Sequence, residues 1–192
     1  QREELRVDMA VCKQIMTVEQ AQMFSLQRYT SAREATEFIG YLMSTYGFLP
    51  SCVGESETLV VGDTEEIWII EIFSVGNDWN PESGEPGAIW VAQRVPDDHA
   101  LVVANWSIIK EVDESDSENF MFSPNYMQFA IDKGWYDPSG SMPFVWNEVY
   151  APILREWATN RMWLFYSTYA PGYANWPERS LEDGHMMGYN QY

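Results

Sequence analysis

Two histidines, two cysteines and a few polar residues set inside apolar runs are the groups with which this 192-residue sequence can do chemistry. His99 and His185 are far apart and neither belongs to a ligand-spaced pair. Each therefore reads as a surface or turn histidine rather than a metal ligand or general base. Cys12 lies among apolar residues at helical spacing, where a buried, inert thiol is expected. Cys52 precedes an extended run, beside Gly54 and Glu55. A nucleophilic thiol needs a base or a cation to form thiolate, and the near neighbours of Cys52 are acids, which raise thiol pKa values. Asn105 closes an apolar run, with Trp106 after it. An amide in that position either caps a strand end or donates to a developing oxyanion. Gln93 and Arg94 close the preceding run, so three polar side chains are expected to converge at one sheet edge. Glu71 interrupts a strongly apolar run, and a carboxylate buried there requires partners.

The elements that must position these residues follow from periodicity. Leu5, Met9, Cys12, Ile15 and Met16 recur at helical spacing, so residues 2–29 read as helical with a break near Thr17. Ser31 and Glu34 fit a capping box for a helix over 31–46, whose apolar face is Ala35, Phe38, Ile39, Leu42, Met43 and Tyr46. Gly47 stops it. The period then changes. Residues 55–61 and 66–73 read as strands joined by Gly62-Asp63-Thr64-Glu65, a hairpin signal. A Gly-, Pro- and Asn-rich loop at 75–87 leads to strands at 88–95 and 100–106, joined by Pro96-Asp97-Asp98-His99. Together these make a four-stranded antiparallel meander flanked by helices, an α+β arrangement. Several strands are apolar on both faces, which predicts a sheet covered on both sides. The helices account for one cover, and the other sheet face is expected to lie open in this chain.

Residues 111–118 carry five acids in eight positions. The block lacks the central Gly and terminal Glu of a calcium loop and reads as a solvated loop. Ser123 and Pro124 open a helix that Gly134 closes, and 143–150 and 153–168 are helical on either side of Pro152. Twenty-nine acids against eleven bases, a net charge of −18, argue against nucleic acid and anionic membrane surfaces as partners. No apolar run reaches the ~18–20 residues of a membrane span. Two cysteines are too few for a four-cysteine zinc site and are compatible with reducing or oxidising compartments.

Several motifs, in order, resemble the C69 family of dipeptidases. They are Thr30-Ser31-Ala32-Arg33-Glu34-Ala35 leading to Tyr46-Gly47, Gly54-Glu55-Ser56, and Asp63 through Glu66-Ile67-Trp68-Ile69-Ile70-Glu71-Ile72. The most specific is Trp90-Val91-Ala92-Gln93-Arg94-Val95-Pro96-Asp97-Asp98 with the following Ala104-Asn105. Phe122-Ser123-Pro124-Asn125, Lys133-Gly134-Trp135-Tyr136-Asp137-Pro138, Tyr150-Ala151-Pro152 and Arg161-Met162-Trp163 fit as well. The resemblance covers residues 28–168, with a weaker trace to the end.

That resemblance implies part of a four-layer αββα N-terminal-nucleophile hydrolase fold. It also implies cysteine-type hydrolysis of dipeptides through an acyl-enzyme, with no metal or cofactor. Asn105 matches the strand-end Asn expected in the oxyanion hole, and Glu55, Ser56 and Arg161 are the implied substrate-binding positions. The nucleophilic Cys of the family lies upstream of the region matched by Gln1, and neither Cys12 nor Cys52 takes its place. The chain thus reads as an internal portion of a longer polypeptide. Its expected partners are a peptide substrate and the rest of that polypeptide, or a partner chain covering the open sheet face, with self-association as a further expectation. A second reading is a non-catalytic member serving as an interaction module, with an exposed Trp79 on the 75–87 loop as its contact.

Overall fold

The computed structural model describes residues 2–51, 56–152 and 156–169. Four antiparallel strands form one sheet in the order β1 (Glu57–Gly62), β2 (Ile67–Ser74), β3 (Ala88–Arg94) and β4 (Phe120–Phe122). The β1–β2 turn is built by Asp63, whose Oδ1 accepts from the amides of Glu65 at 2.7 Å and Glu66 at 2.9 Å. Its Oδ2 accepts from the Ala32 amide at 2.6 Å, tying the turn to the start of a helix. These backbone donors, that of Ala32 foremost, hold the Asp63 carboxyl below its usual pKa.

Every residue of β2 except Ile67 is buried, because helices and ordered coil cover both sides of the sheet. Successive side chains point to opposite faces. Trp68, Ile70 and Ile72, with Trp90 and Ala92, pack under α1 (Val18–Leu26) and α2 (Ala32–Tyr46). Ile69 and Phe73, with Ile89 and Val91, pack under residues 104–109, α3 (Tyr126–Asp132), α4 (Trp146–Tyr150) and α5 (Glu156–Tyr169). The expectation of an open sheet face is thereby corrected. The segment assigned to a fourth strand is itself part of the missing cover.

That strand, 100–106, does not form, and β3 pairs instead with Phe120–Phe122 beyond the acidic block. The reason lies in backbone hydrogen bonding. The amides of Ile108 and Ile109 donate to the Glu71 side chain, and Asn105 has φ 58°, which ends extended geometry. Residues 111–118 are largely solvent-facing, as their charge requires.

Helix α2 matches its periodicity. Ser31 accepts from the Glu34 amide at 3.3 Å, and Gly47 stops the helix with φ 74°. The first half of the 2–29 helix is replaced by a short 3-10 turn at Glu3–Leu5 and non-helical chain. Ile15 and Met16 instead donate to the carbonyls of Tyr46 and Gly47 at 3.1 and 3.0 Å. The helix begins only at Val18, where Thr17 and Gln20 form the reciprocal cap that marks the anticipated break. Cys12 consequently sits in a turn region, half-buried, rather than on a helix. For α3, Asn125 is the residue preceding the helix, while Ser123 accepts from the Trp90 amide at 3.1 Å and extends the β3 edge.

Trp79 is buried, at 8% exposure, and anchors the 75–87 loop. A Cβ on Gly87 would lie 2.6 Å from its ring, so Trp79 is a packing residue and not an exposed contact. The helix–sheet seam is equally tight at Gly40, where a Cβ would meet the Trp90 ring at 2.3 Å. Gly40→Ala is therefore expected to lower stability by about 1–3 kcal/mol, the usual cost of overpacking, read as a lower urea midpoint at unchanged slope.

Candidate functional site

Among the described residues, Asn105 is the one non-glycine with positive φ. Asn tolerates this left-handed region better than other residues, because its short polar side chain bonds locally. It stands on an exposed corner between two buried neighbours, Ala104 and Trp106. Two clamps hold that corner. On the N-terminal side, Arg161 of α5 donates from Nη2 to the Ala104 carbonyl at 2.7 Å and to Asn105 Oδ1 at 2.9 Å. On the C-terminal side, Glu71 of β2 collects the chain from Ser107 to Ile109.

Glu71 is fully buried and accepts four hydrogen bonds. Its Oε1 takes the amides of Ile108 at 2.6 Å and Ile109 at 3.3 Å. Its Oε2 takes the Ser107 hydroxyl and the Trp146 indole, the latter at 2.7 Å. Burial pushes the Glu71 pKa up from the ordinary carboxylate value, against the pull of these donors. The partners demanded by a carboxylate in an apolar strand thus exist, and they make Glu71 a scaffold for the segment that carries Asn105. Asn147 adds a bond from Nδ2 to the Ser107 carbonyl at 3.2 Å.

Arg161 is oriented from its own helix. Nε donates to the Trp157 carbonyl at 3.1 Å, and the guanidinium lies 5.1 Å from the centre of the Trp157 ring. Buried Ala158 and Met162 seat α5 on the core and fix the direction in which Arg161 projects. An arginine has no acceptor, so the Asn105 atom facing it is the amide oxygen. The Asn105 Nδ2 hydrogens are then turned away from the clamp and carry no hydrogen bond among the described residues.

The expected convergence of Asn105, Gln93 and Arg94 does not occur. Arg94 projects from the α1–α2 side of the sheet, 3.4 Å from Glu66 and 2.6 Å from Asp97. Gln93 lines a separate cleft of about 500 Å³ with Lys110, Glu111 and Glu148. Burial pushes the Lys110 pKa down there. Convergence fails because alternate strand residues face opposite sides and because 100–106 is not the neighbouring strand. Ser56 lies half-buried just before β1, while Glu55, Cys52, His185 and the segment from Ala170 lie outside the described residues. His99 Nδ1 lies 2.6 Å from Asp98 Oδ1 in the turn after β3. Among the described residues no group of His, Cys, Asp and Glu has metal-binding geometry, and no helix is long and apolar enough to cross a membrane.

Sequence reasoning found Asn105, Arg161 and Glu71 separately, without their connection. It missed Ser107, Trp146 and Trp157. The one available signal was the need of Glu71 for donors, which does not say where along the chain they lie.

Residues 2–182 match the family model described as Peptidase family C69. Over 138 residues the chain is 30% identical to a protein named "Probable dipeptidase" of Salmonella dublin, covering 72% of this chain and 28% of that protein. A "Probable dipeptidase" of Latilactobacillus sakei is 30% identical over 100 residues, 52% of this chain and 18% of that protein. A "Probable dipeptidase B" of Lactococcus lactis subsp. lactis (strain IL1403) is 32% identical over 108 residues, 56% of this chain and 19% of that protein. The matched part of the chain spans less than a third of the length of each of these relatives.

Proposed function

The chain belongs to peptidase family C69, and from that premise we propose that it forms part of a cysteine-type dipeptidase of the N-terminal-nucleophile, four-layer αββα kind. A Cys-bearing N-terminal part of the same polypeptide supplies the nucleophile, and Asn105 supplies an oxyanion donor. The observation that carries this reading is the orientation of the Asn105 amide. Its oxygen is held by Arg161 Nη2 at 2.9 Å, which leaves Nδ2 as a pre-aimed donor on an exposed corner. Such preorganised donors act where charge develops and need no reorganisation during the reaction.

In the proposed sequence a cysteine thiolate attacks the scissile carbonyl carbon. The C–S bond forms as the π pair moves onto oxygen, and Asn105 Nδ2–H donates to that oxyanion. The carbonyl re-forms as the C–N bond breaks, and the leaving amine takes the proton removed from the thiol by its base. Water then attacks the thioester, passes a proton to the thiolate leaving group through the same base, and releases the acid. No step draws on a metal or cofactor. Ser56, just before β1, and Glu55 are proposed on the substrate side by resemblance alone.

Dipeptide hydrolysis by the intact polypeptide, measured with and without a thiol-blocking reagent, tests the assignment. Turnover abolished by the reagent is the expected result. Turnover unaffected by it overturns the cysteine mechanism, and absence of turnover favours the interaction-module reading. That second reading has lost the exposed Trp79 on which it leaned.

A further inference from the structure

We infer that the cleft lined by Gln93 and Lys110 is a binding site for a small organic cation of the linear polyamine class, separate from the Asn105 corner and independent of the peptidase reading. Its lining shares no residue with that corner. Gln93 is the residue that points to a ligand. It lies on β3 between Ile69 and Phe120, on the face it shares with Ile89 and Val91, where an apolar side chain would be ordinary. It is 8% exposed, and its Oε1 is buried with no hydrogen-bond partner among the described residues. Folded proteins seldom leave a buried acceptor unmet, because nothing offsets the loss of its water. The buried Gln14, by contrast, uses both ends of its amide. Its Nε2 donates to the Gly76 carbonyl at 2.6 Å and its Oε1 accepts from the Lys13 amide at 3.1 Å. What Gln93 lacks is a donor. The outer torsion of a glutamine is broad and soft, so Oε1 can turn to a donor that enters the cleft.

The rest of the lining says what carries that donor. Among the described residues it holds three exposed carboxylates, Glu111, Asp113 and Glu148, and one base, Lys110. Glu148 and Glu111 face the Lys110 ammonium and oppose the lowering of its pKa by burial. The Ser115 hydroxyl and amide hold the Asp113 carboxyl below its usual pKa, so it stays ionised. Three acids against one base leave an excess of two negative charges, which disfavours an anion and attracts a dication. No group of acids among the described residues has the geometry to hold a metal ion, so the cation that fits carries its charges apart on a stem. Half-buried Phe120 and Val145 supply apolar contact for that stem. A linear polyamine meets all three demands. One ammonium donates to Gln93 Oε1, the methylenes lie on Phe120 and Val145, and a second ammonium meets the exposed carboxylates. The volume of about 500 Å³ lies within the ~300–1,000 Å³ of small-molecule sites.

The test is calorimetric titration of the intact polypeptide with spermidine, at low and at physiological salt. One saturable site per chain is expected, above the weak, salt-screened binding of amines to any acidic protein. Gln93→Leu leaves every charge in place and should weaken the saturable site by about 10–100-fold, the range of one hydrogen bond to a charged group. Its melting temperature should be unchanged or raised, since an apolar side chain of similar shape replaces an unpartnered amide. Lys110→Met removes a competing cation and should tighten binding, whereas Glu148→Gln should loosen it. 1-Aminobutane, with a single ammonium, should bind at least about ten-fold more weakly than spermidine. No saturable binding by the wild type, unchanged affinity in Gln93→Leu, or weaker binding in Lys110→Met overturns the inference. None of these readouts depends on turnover, so the peptidase reading stands or falls separately.

Discussion

Replacing Asn105 by glycine in the intact polypeptide is expected to lower kcat for the proposed dipeptide hydrolysis by about 10²–10³-fold, the cost of removing one oxyanion donor. Glycine is the informative substitution because the backbone here has φ 58°, which glycine adopts freely. Alanine removes the same amide but adds roughly 1–2 kcal/mol of left-handed strain. The two variants should therefore share the kinetic loss and differ in melting temperature. KM changes little in either, since the bond strengthens as the oxyanion forms rather than on binding. Steady-state kinetics with folding checked by circular dichroism gives the answer. A kcat within a few-fold of wild type in Asn105→Gly removes Asn105 from the chemistry.

Replacing Glu71 by alanine is expected to destabilise the fold by about 3–6 kcal/mol, a large fraction of the ~5–15 kcal/mol typical of a domain. The variant leaves the amides of Ile108 and Ile109 and the Trp146 indole buried without an acceptor. Glu71→Gln keeps the shape but sets a donor against donors, so its loss should be intermediate. Urea unfolding reads both midpoints, and a midpoint for Glu71→Ala near wild type would show that the four bonds contribute little. The pH dependence has a defined sign. Burial raises the folded pKa of Glu71 above its unfolded value, so the folded state binds the extra proton. The stability this group contributes is complete below the ordinary glutamate range and is lost as pH rises through the elevated value. Glu71→Gln should remove that slope. Because the 107–109 segment hangs on Glu71, surviving Glu71 variants should also lose kcat through displacement of Asn105.

Where local chemistry decides structure, the residues were readable. Ser31 and Gly47 bracket α2 because a hydroxyl cap and a positive-φ stop act within one turn. Asp63 builds the β1–β2 turn because its carboxylate reaches amides two and three residues on. The 100–106 segment misled because an apolar run carries the same composition whether it pairs in a sheet or lies across one. The amides of Ile108 and Ile109 just after it go to a side chain thirty-seven and thirty-eight residues away rather than to a neighbouring strand. The first helix misled in the same way, since Leu5 and Met16 are both buried, but Leu5 by a short 3-10 turn and Met16 by non-helical chain paired beside Gly47.

The candidate site divides along the same line. Residue types and motif order alone identify family C69, an acidic chain, and Asn105, Arg161 and Glu71 as polar groups with work to do. Only the folded chain brings Arg161 onto Asn105 across fifty-six residues and sets Glu71 beneath the next turn of backbone. It also covers both faces of the sheet, where periodicity had left one bare. The physical reason is range. Caps, turns and amphipathic faces are satisfied by neighbours in sequence, whereas a buried carboxylate or an oriented amide is satisfied by whichever distant donor the packing delivers.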